Sequence, residues 1–594
     1  MLKCKIKQLD PFQYIFPILA STVTVWNGLL AMLFLCSGPF LHAQYIPGEV
    51  YYGAEKYTEY VAGNLPLIIS APHGGTDPAF ALPNRTYGTI STDSNTAELS
   101  RAIQTACSNR FGRWPHVIIC RVPRTKIDCN REVVEGAQGN PATEELWNEY
   151  HNLIRMAKES VTSSYGRGLL IDVHGHGHTL QRLELGYNLS TATLNNNSFS
   201  ASEKNSSCVR ELANRTRVSF EELIRGSFSL GTLIGVRGYP SVPSLDLPNP
   251  GKTTGGGDND YFSGGYTVEI HGTMSPNTGT INAIQMECNY TGVRDSSVSR
   301  AAFAAKLVLA LEEYFPLHVG MKLNTLASPP SMTQFADTVI AEDNPTSPLS
   351  FTLGDSSVAL AATSSSSSLV SSSGMSFAGS GFNRTLTVTP LPNAYGSNAM
   401  VTVTATTSSG GVGVEWFYLT VNPVNDAPIF FSVADRTINP GVFLSVPASA
   451  SDVEGTLLDY ALVSGPAGCS VDSSTGVVTW RPTIAKSGAA YPIVIKATEK
   501  EGGLSSTLNF QTTVNPATAP QVTTSWIAGS EGSAAQLQLS MSGQVGPDYT
   551  VWASEDLMNW VNLTTTTPTA FPYVWADPNA ANFSKRFYQV KLGP

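Results

Sequence analysis

The sequence predicts a multidomain protein: an α/β domain on a mainly parallel sheet with helices on both faces, followed by all-β sandwich modules. Three observations lead there. Up to about His318, apolar strand-like runs alternate with stretches of helical periodicity. Beyond that point Ser, Thr, Gly and Val dominate, helical periodicity disappears, and short strands alternate with turn residues. All nine histidines lie at or before His318, which confines imidazole chemistry to the first part of the chain.

The elements of the first part follow in order. Leu65-Pro-Leu-Ile-Ile-Ser70 is a short apolar run whose proline sits near its start, where a strand tolerates one. It runs into Pro72-His73-Gly74-Gly75. A helical stretch near Asn95 to Ser108 precedes the β-branched run Val117 to Val122. Leu146, Tyr150, Leu153, Ile154 and Ala157 recur at helical spacing, and Gly168 to Val173 reads as a buried strand. Tyr266 to Ile270 and Ile281 to Glu287 read as later strands, and a last helix carries Val298, Phe303, Leu307, Ala310, Leu311 and Tyr314.

In the second part, Thr420-Val-Asn-Pro423 and Thr513-Val-Asn-Pro516 end two segments alike, at an offset suited to an immunoglobulin-like sandwich. The expected organisation is a signal segment over 1–43, a catalytic domain over 45–318, sandwiches over 325–424 and 427–516, and an aromatic-rich all-β module over 517–594. The signal reading rests on Lys3, Lys5 and Lys7 ahead of the apolar run Gly28 to Cys36, with small or apolar residues at Leu41 and Ala43. That run is too short to span about 30 Å of hydrocarbon, so the expected location is secreted or cell-surface.

Composition narrows the function further. The chain of 594 residues carries 36 basic and 46 acidic side chains, a net charge of −10. Nucleic acid is excluded as a partner class, because that affinity rests on Lys and Arg neutralising phosphates. With 42% hydrophobic residues the chain can bury several cores, which excludes global disorder. The six cysteines beyond the signal include no C-x-x-C pair, which argues against a thiolate zinc site. In an oxidising compartment, one or two disulfides are expected among the five in the first part.

Functional groups in open α/β sheets gather at the carboxyl ends of strands. Here one strand ends at His73, another at Asp172-Val-His-Gly-His-Gly-His178, and a third at Glu287. A catalytic zinc site needs three nitrogen or oxygen ligands and an open position, with a carboxylate base nearby. Asp93 and Glu98 are both candidates for the third ligand. The bland alternatives are a loop histidine at His73, a surface charge at Glu287, and solvated side chains at Arg124, Asn130 and Arg131.

Ser70-Ala-Pro-His-Gly-Gly75, Thr92-Asp93, Asp128-Cys-Asn-Arg131, Ile171-Asp-Val-His174, Gly264-Gly-Tyr-Thr267 and Ile284-Gln-Met-Glu287 occur in order. Together they resemble the N-formylglutamate amidohydrolase family, whose fold is related to the zinc carboxypeptidases, over roughly residues 60 to 315. The resemblance implies His73, Asp93 and His174 as zinc ligands and Glu287 as the carboxylate that takes a proton from water. It implies Asn130 and Arg131 as the pair that holds a substrate carboxylate, Arg124 as a stabiliser of the oxyanion, and Asp172 as a carboxylate orienting a ligand histidine. The family usually carries Ser after its second ligand histidine. Here Gly175-His176-Gly177-His178 and then Gln181-Arg182 stand instead, which places His176 and Arg182 among the candidate substrate-binding residues and leaves the substrate open.

Val424-Asn-Asp-Ala-Pro428 resembles the linkers of bacterial cadherin-like and immunoglobulin-like repeats. Calcium is the ion that Asp426, Asp452 and Glu454 would suit, with a solvated Asx turn as the alternative. The expected function is that of a secreted zinc-dependent hydrolase acting on an amide next to a carboxylate, in an N-acyl-amino acid or peptide. The β modules would serve as spacers or anchors, or contact a cell surface or polysaccharide. Two alternatives stand beside it: a surface adhesion protein whose hydrolase-like domain is inactive, and a γ-glutamyl or peptidoglycan peptide hydrolase.

Overall fold

The computed structural model describes Lys7–Gln8 and residues 45–251, 261–501, 503–528 and 534–593. Apart from Lys7–Gln8, the signal segment expected over 1–43 lies outside the described residues. The chain divides into two units, Met1–Asn422 and Pro423–Pro594.

The first unit begins on a nine-stranded sheet. Its strands are β1 (Lys7–Gln8), β2 (Val50–Tyr52), β3 (Thr58–Val61), β4 (Leu67–Ala71), β5 (His116–Cys120), β6 (Gly168–Gly175), β7 (Leu183–Gly186), β8 (Ser241–Val242) and β9 (Ile281–Cys288). They lie in the order β1-β2-β3-β5-β4-β6-β9-β7-β8. The centre, β5-β4-β6-β9, is parallel. β3 joins β5, and β7 joins β9, in antiparallel fashion. β1–β2 and β7–β8 at the edges are also parallel, so the sheet is mainly parallel as expected but mixed, with antiparallel pairs at β2–β3, β3–β5 and β9–β7. That core is continuous apolar sequence, with Leu67, Ile68, Ile69, Val117, Ile118, Ile119, Leu169, Leu170, Ile171, Ala283 and Ile284 all fully buried, as strands covered on both faces require.

Four helices matter for the site: α1 (Thr96–Phe111), α2 (Pro141–Tyr165), α3 (Tyr266–His271) and α4 (Ser297–Tyr314). α2 starts where the Asn140 side chain accepts from the Thr143 backbone N–H with proline in its first turn, and stops at Gly166 in the left-handed region at φ 75°. α4 is capped by Ser296, whose side chain accepts from Ser299 N–H. From β4 the chain crosses through α1 to β5 on one side, then through α2 to β6 on the other, so the strand order reverses at β4. The carboxyl ends of β4 and β6 flank that reversal, the place where open α/β sheets gather functional groups.

Tyr266–His271 is helical and not the strand that its apolar pattern suggests. A five-residue run of this kind fits either structure, and tertiary context decides. Here Asn130 Oδ1 accepts from Thr267 N–H at 2.8 Å and satisfies an orphan donor of the first turn. A Cβ on Gly265, the residue before the helix, would lie 2.3 Å from Asn130 Nδ2, so only glycine admits this approach.

Among the described residues the six cysteines are all unpaired thiols, five of them buried in this α/β domain, contrary to the expected disulfides. Those five serve as small apolar side chains in the core around the sheet.

The first unit continues into a sandwich. A four-stranded sheet of Thr338–Ala341, Val412–Asn422, Gly396–Thr407 and Val358–Ser364 faces a three-stranded one of Leu349–Thr352, Asn383–Val388 and Met375–Ser380. Phe351, Leu386, Val401, Val403, Phe417 and Leu419 fill the core between them. In the second unit the same plan recurs, with Arg436–Ile438, Ser505–Val514, Ala489–Glu499 and Leu458–Ser464 facing Leu444–Pro447, Val477–Trp480 and Ser470–Val471. In both, the first strand pairs in parallel with the strand that runs into the repeated Thr-Val-Asn-Pro. The repeat thus marks an equivalent sheet position in each. Residues 521–593 form two further three-stranded sheets, in which Tyr573, Trp575 and Tyr588 pack on Leu539, Met541 and Val551 while Trp526 is exposed.

Candidate functional site

The parallel strands at the centre of the sheet deliver polar side chains to one end. His73 follows β4, His174 lies near the end of β6, Glu287 near the end of β9, and Asp128 follows β5. Asp93 enters from the loop before α1, its backbone N–H donating to the His73 carbonyl at 3.2 Å.

His73, Asp93 and His174 converge. Asp93 Oδ2 lies 3.3 Å from His73 Nδ1 and 3.3 Å from His174 Nδ1, and the two rings meet nearly edge to face at 4.8 Å. The far nitrogens are held from behind. His73 Nε2 is 2.7 Å from Asp128 Oδ1, and His174 Nε2 is 2.8 Å from Asp172 Oδ2. Both rings thus turn Nδ1 toward Asp93 and Nε2 toward a buried carboxylate. Carboxylates placed so raise the basicity of a metal-ligating imidazole and fix its tautomer. The donor set of two imidazoles and one carboxylate, each braced on its outer side, fits a zinc ion.

The electrostatics follow from burial among opposite charges. Burial alone would raise the Asp93 carboxyl, but His73 and His174 hold it well below the ordinary range. Asp128, opposed in the same way by burial, is held down by His73 and Arg124. Burial disfavours a charged His174, yet Asp172, Asp93 and Glu287 outweigh it and hold its pKa well above the ordinary value. Glu287 is the reverse case. It is fully enclosed, and burial pushes its carboxyl up to about 8 against the pull of His174. Its Oε1 accepts from Gln285 Nε2 at 2.9 Å and lies 3.9 Å from His174 Nδ1.

The other candidates distribute as follows. Arg124 donates through Nε to Asp128 Oδ2 at 2.8 Å, and its NH1 is 4.0 Å from Asp93 Oδ1, so it stands at the edge of the cluster. Asn130 places Nδ2 3.4 Å from His174 Nε2 and uses Oδ1 on the first turn of α3. Arg131 is half-exposed, donates to the Asn130 carbonyl and pairs with Glu135 at 3.4 Å, so its side chain is not brought into the cluster. Glu98 points outward from α1 and pairs with Arg101 at 3.6 Å. His176 and Arg182 belong to a neighbouring loop, where His176 Nε2 is 2.7 Å from the Arg182 carbonyl. The Arg182 guanidinium donates to the Pro250 carbonyl. His271 is buried against His151 at 3.0 Å, away from the cluster.

Three participants escape sequence reasoning. Asp128 stands inside the quoted Asp-Cys-Asn-Arg motif, yet nothing in spacing reveals that it braces His73. Arg85 is buried behind it, 3.7 Å from Asp128 Oδ2. Glu184 on β7 sits directly opposite Glu287 in the antiparallel register, a pairing visible only once the sheet is assembled.

The carboxylates considered for calcium make local bonds within their unit. Asp452 Oδ1 accepts from Thr456 N–H at 2.8 Å, and Glu454 Oε2 accepts from Asp426 N–H at 3.2 Å. Among the described residues, no helix is long and apolar enough to cross a membrane.

Comparison with known proteins identifies one of the β modules. The family model described as "Putative Ig domain" matches residues 427–515. Solved structures similar to the chain include extracellular cadherin domains 3-6 of protocadherin gamma B2, at 16% identity and TM-score 0.22, covering 38% of this chain and 65% of that one. Mouse cadherin-23 EC22-24 is similar at 13% identity and TM-score 0.22, covering 44% and 97%. The titin domains z1z2, solved in complex with telethonin, are similar at 15% identity and TM-score 0.16, covering 32% and 96%. No curated protein matches the chain. The chain is thus a multidomain protein that carries an immunoglobulin-like module.

Proposed function

We propose that the α/β domain is a metal-dependent amidohydrolase of the N-formylglutamate amidohydrolase type, with a fold related to the zinc carboxypeptidases. It cleaves an amide or peptide bond next to a carboxylate, in an N-acyl-amino acid or short peptide. The single observation that carries this reading is the convergence of His73 Nδ1, His174 Nδ1 and Asp93 Oδ2, with Glu287 within 4 Å of His174.

His73, Asp93 and His174 would hold the ion. Bound zinc supplies Lewis-acid chemistry, polarising the amide carbonyl and making a water more acidic. The residues of the chain do the rest. Asp128 and Asp172 keep the two imidazoles in the tautomer that offers Nδ1. Glu287, in its carboxylate form, takes a proton from the attacking water and returns it to the leaving amine. Arg124, beside Asp93, offsets negative charge that develops on the carbonyl oxygen. Arg131 stands at the exposed margin, where a guanidinium meets a substrate carboxylate in bidentate geometry.

The β modules extend this domain as exported spacers or surface contacts. Support comes from the immunoglobulin-like match and from the exposed Trp526, whose ring suits stacking on a polysaccharide.

The test measures bound metal and amide hydrolysis for the wild type and His174→Ala. The panel holds acyl-amino acids, short peptides, γ-glutamyl peptides and peptidoglycan peptides. The wild type is expected to bind metal and to hydrolyse at least one class, and the variant to lose both. A wild type without metal, indistinguishable from the variant on every substrate, would overturn the reading.

A further inference from the structure

Beside the His73 cluster lies a second group of metal-type ligands that the hydrolytic reading leaves unused. The strand that presents His174 continues through Gly175 to His176, Gly177 and His178, and returns along β7 through Glu184. His176, His178 and Glu184 each offer a donor atom, and the three atoms lie within 4.8 Å of one another. We propose that these three residues form a second divalent-metal site for a zinc-type ion, distinct from His73, Asp93 and His174.

Three features set this group apart from an ordinary buried ion pair. First, His176 is tautomerically fixed. Its Nε2 stands 2.7 Å from the Arg182 carbonyl, which can only accept, so the proton is on Nε2 and the lone pair on Nδ1, where it accepts from the His178 N–H at 3.1 Å, a bond that an ion would replace. A backbone carbonyl on the far nitrogen is the usual support of a metal-ligating histidine. Second, Glu184 is fully buried, with one oxygen fixed by the Phe262 N–H at 2.8 Å and the other 2.7 Å from His178 Nδ1. A buried carboxylate needs a compensating partner, and the one it has here is the His178 imidazole, a side chain that is itself a metal ligand type. Third, the Phe262 ring stacks on His178 at 4.7 Å, and the His176 and His178 rings lie 4.9 Å apart, so His178 is packed between Phe262 and His176.

The donor chemistry, two imidazoles and a carboxylate, suits zinc and its borderline neighbours better than calcium or magnesium. Donors bound to one zinc at about 2.1 Å lie about 3.4 Å apart, so closing the group onto an ion needs side-chain shifts of about an ångström. The two clusters adjoin through the sheet: Glu184 stands opposite Glu287, and Gly175 N–H donates to Asp93 Oδ2 at 3.2 Å. This inference stands without the hydrolytic reading.

The test is metal stoichiometry on the full chain, stripped with chelator and reloaded with zinc alone, read by elemental analysis and by cobalt(II) absorption. The wild type is expected to bind two equivalents. His178→Ala and the near-isosteric Glu184→Gln are each expected to lose one equivalent, with circular dichroism unchanged. His73→Ala is expected to lose the other. One equivalent in the wild type, lost in His73→Ala and kept in both His178→Ala and Glu184→Gln, overturns the second site and leaves the first. One equivalent that survives His73→Ala but disappears in Glu184→Gln supports the second site and overturns the first. No bound zinc in the wild type overturns both.

Discussion

His174 and Glu287 occupy directly opposed positions on neighbouring parallel strands, with His174 Nδ1 3.9 Å from Glu287 Oε1. Strand register, and no flexible loop, sets their separation. The proposed ligand imidazole and the proposed base are thereby fixed to one backbone ladder.

Glu287→Gln keeps the volume of the side chain and removes its basicity. The expected outcome is a loss of about 10²–10⁴-fold in kcat, the range for general base catalysis, with bound zinc unchanged because the three ligands are intact. Steady-state kinetics and elemental analysis on the same preparation check it.

Asp128→Asn tests the support behind His73. Asp128 accepts from His73 Nε2 at 2.7 Å and from Arg124 Nε at 2.8 Å. Losing an outer carboxylate of this kind typically weakens metal affinity about 10–100-fold. Competition with a chromophoric chelator is expected to show that drop in Asp128→Asn, with no comparable drop in Arg131→Ala, whose side chain stands outside the cluster.

Glu415 predicts a pH signature in the first unit. Burial pushes its carboxyl up to about 7, even though Arg217, Arg215 and Arg167 pull it down. The folded state therefore keeps a proton that the unfolded chain releases near the ordinary glutamate value of 4.5. Stability from this group is fully present below about pH 4.5 and is lost as pH rises toward 7, by at most about 3 kcal/mol. Glu415→Gln is expected to flatten that decline in thermal melts between pH 5 and 7. An equal slope in both proteins removes Glu415 as its source.

Trp480 anchors the immunoglobulin-like module, fully buried and 5.3 Å from the Tyr491 ring. Trp480→Ala is expected to destabilise that module by about 3–5 kcal/mol, lowering one calorimetric transition of the full chain. Metal content at the α/β domain is expected to stay constant.

The parts of this molecule that are legible in its sequence are those where local chemistry and periodicity coincide. His73, His174 and Glu287 each terminate a continuous apolar run, so strand end and functional group are read together. The Thr-Val-Asn-Pro repeat marks the same sheet position twice. What escapes depends on partners distant in sequence. Tyr266–His271 is helical because Asn130, 137 positions away, satisfies its first turn. Asp128 and Glu184 acquire their positions only from the loop after β5 and from the antiparallel edge. The cysteines mislead because composition reports the compartment and not the geometry, and the core uses their thiols as apolar filling.

Those thiols have a practical consequence. Cys107, Cys129, Cys208 and Cys288 are buried, and burial holds each well above the ordinary thiol pKa. Cys120 is buried beside them, while Cys469 is only partly covered. The α/β domain therefore owes none of its stability to oxidation, and a reductant should leave its melting temperature where it was. Its five thiols become a built-in clock: a maleimide that labels Cys469 at once can reach the others only as fast as the α/β domain opens.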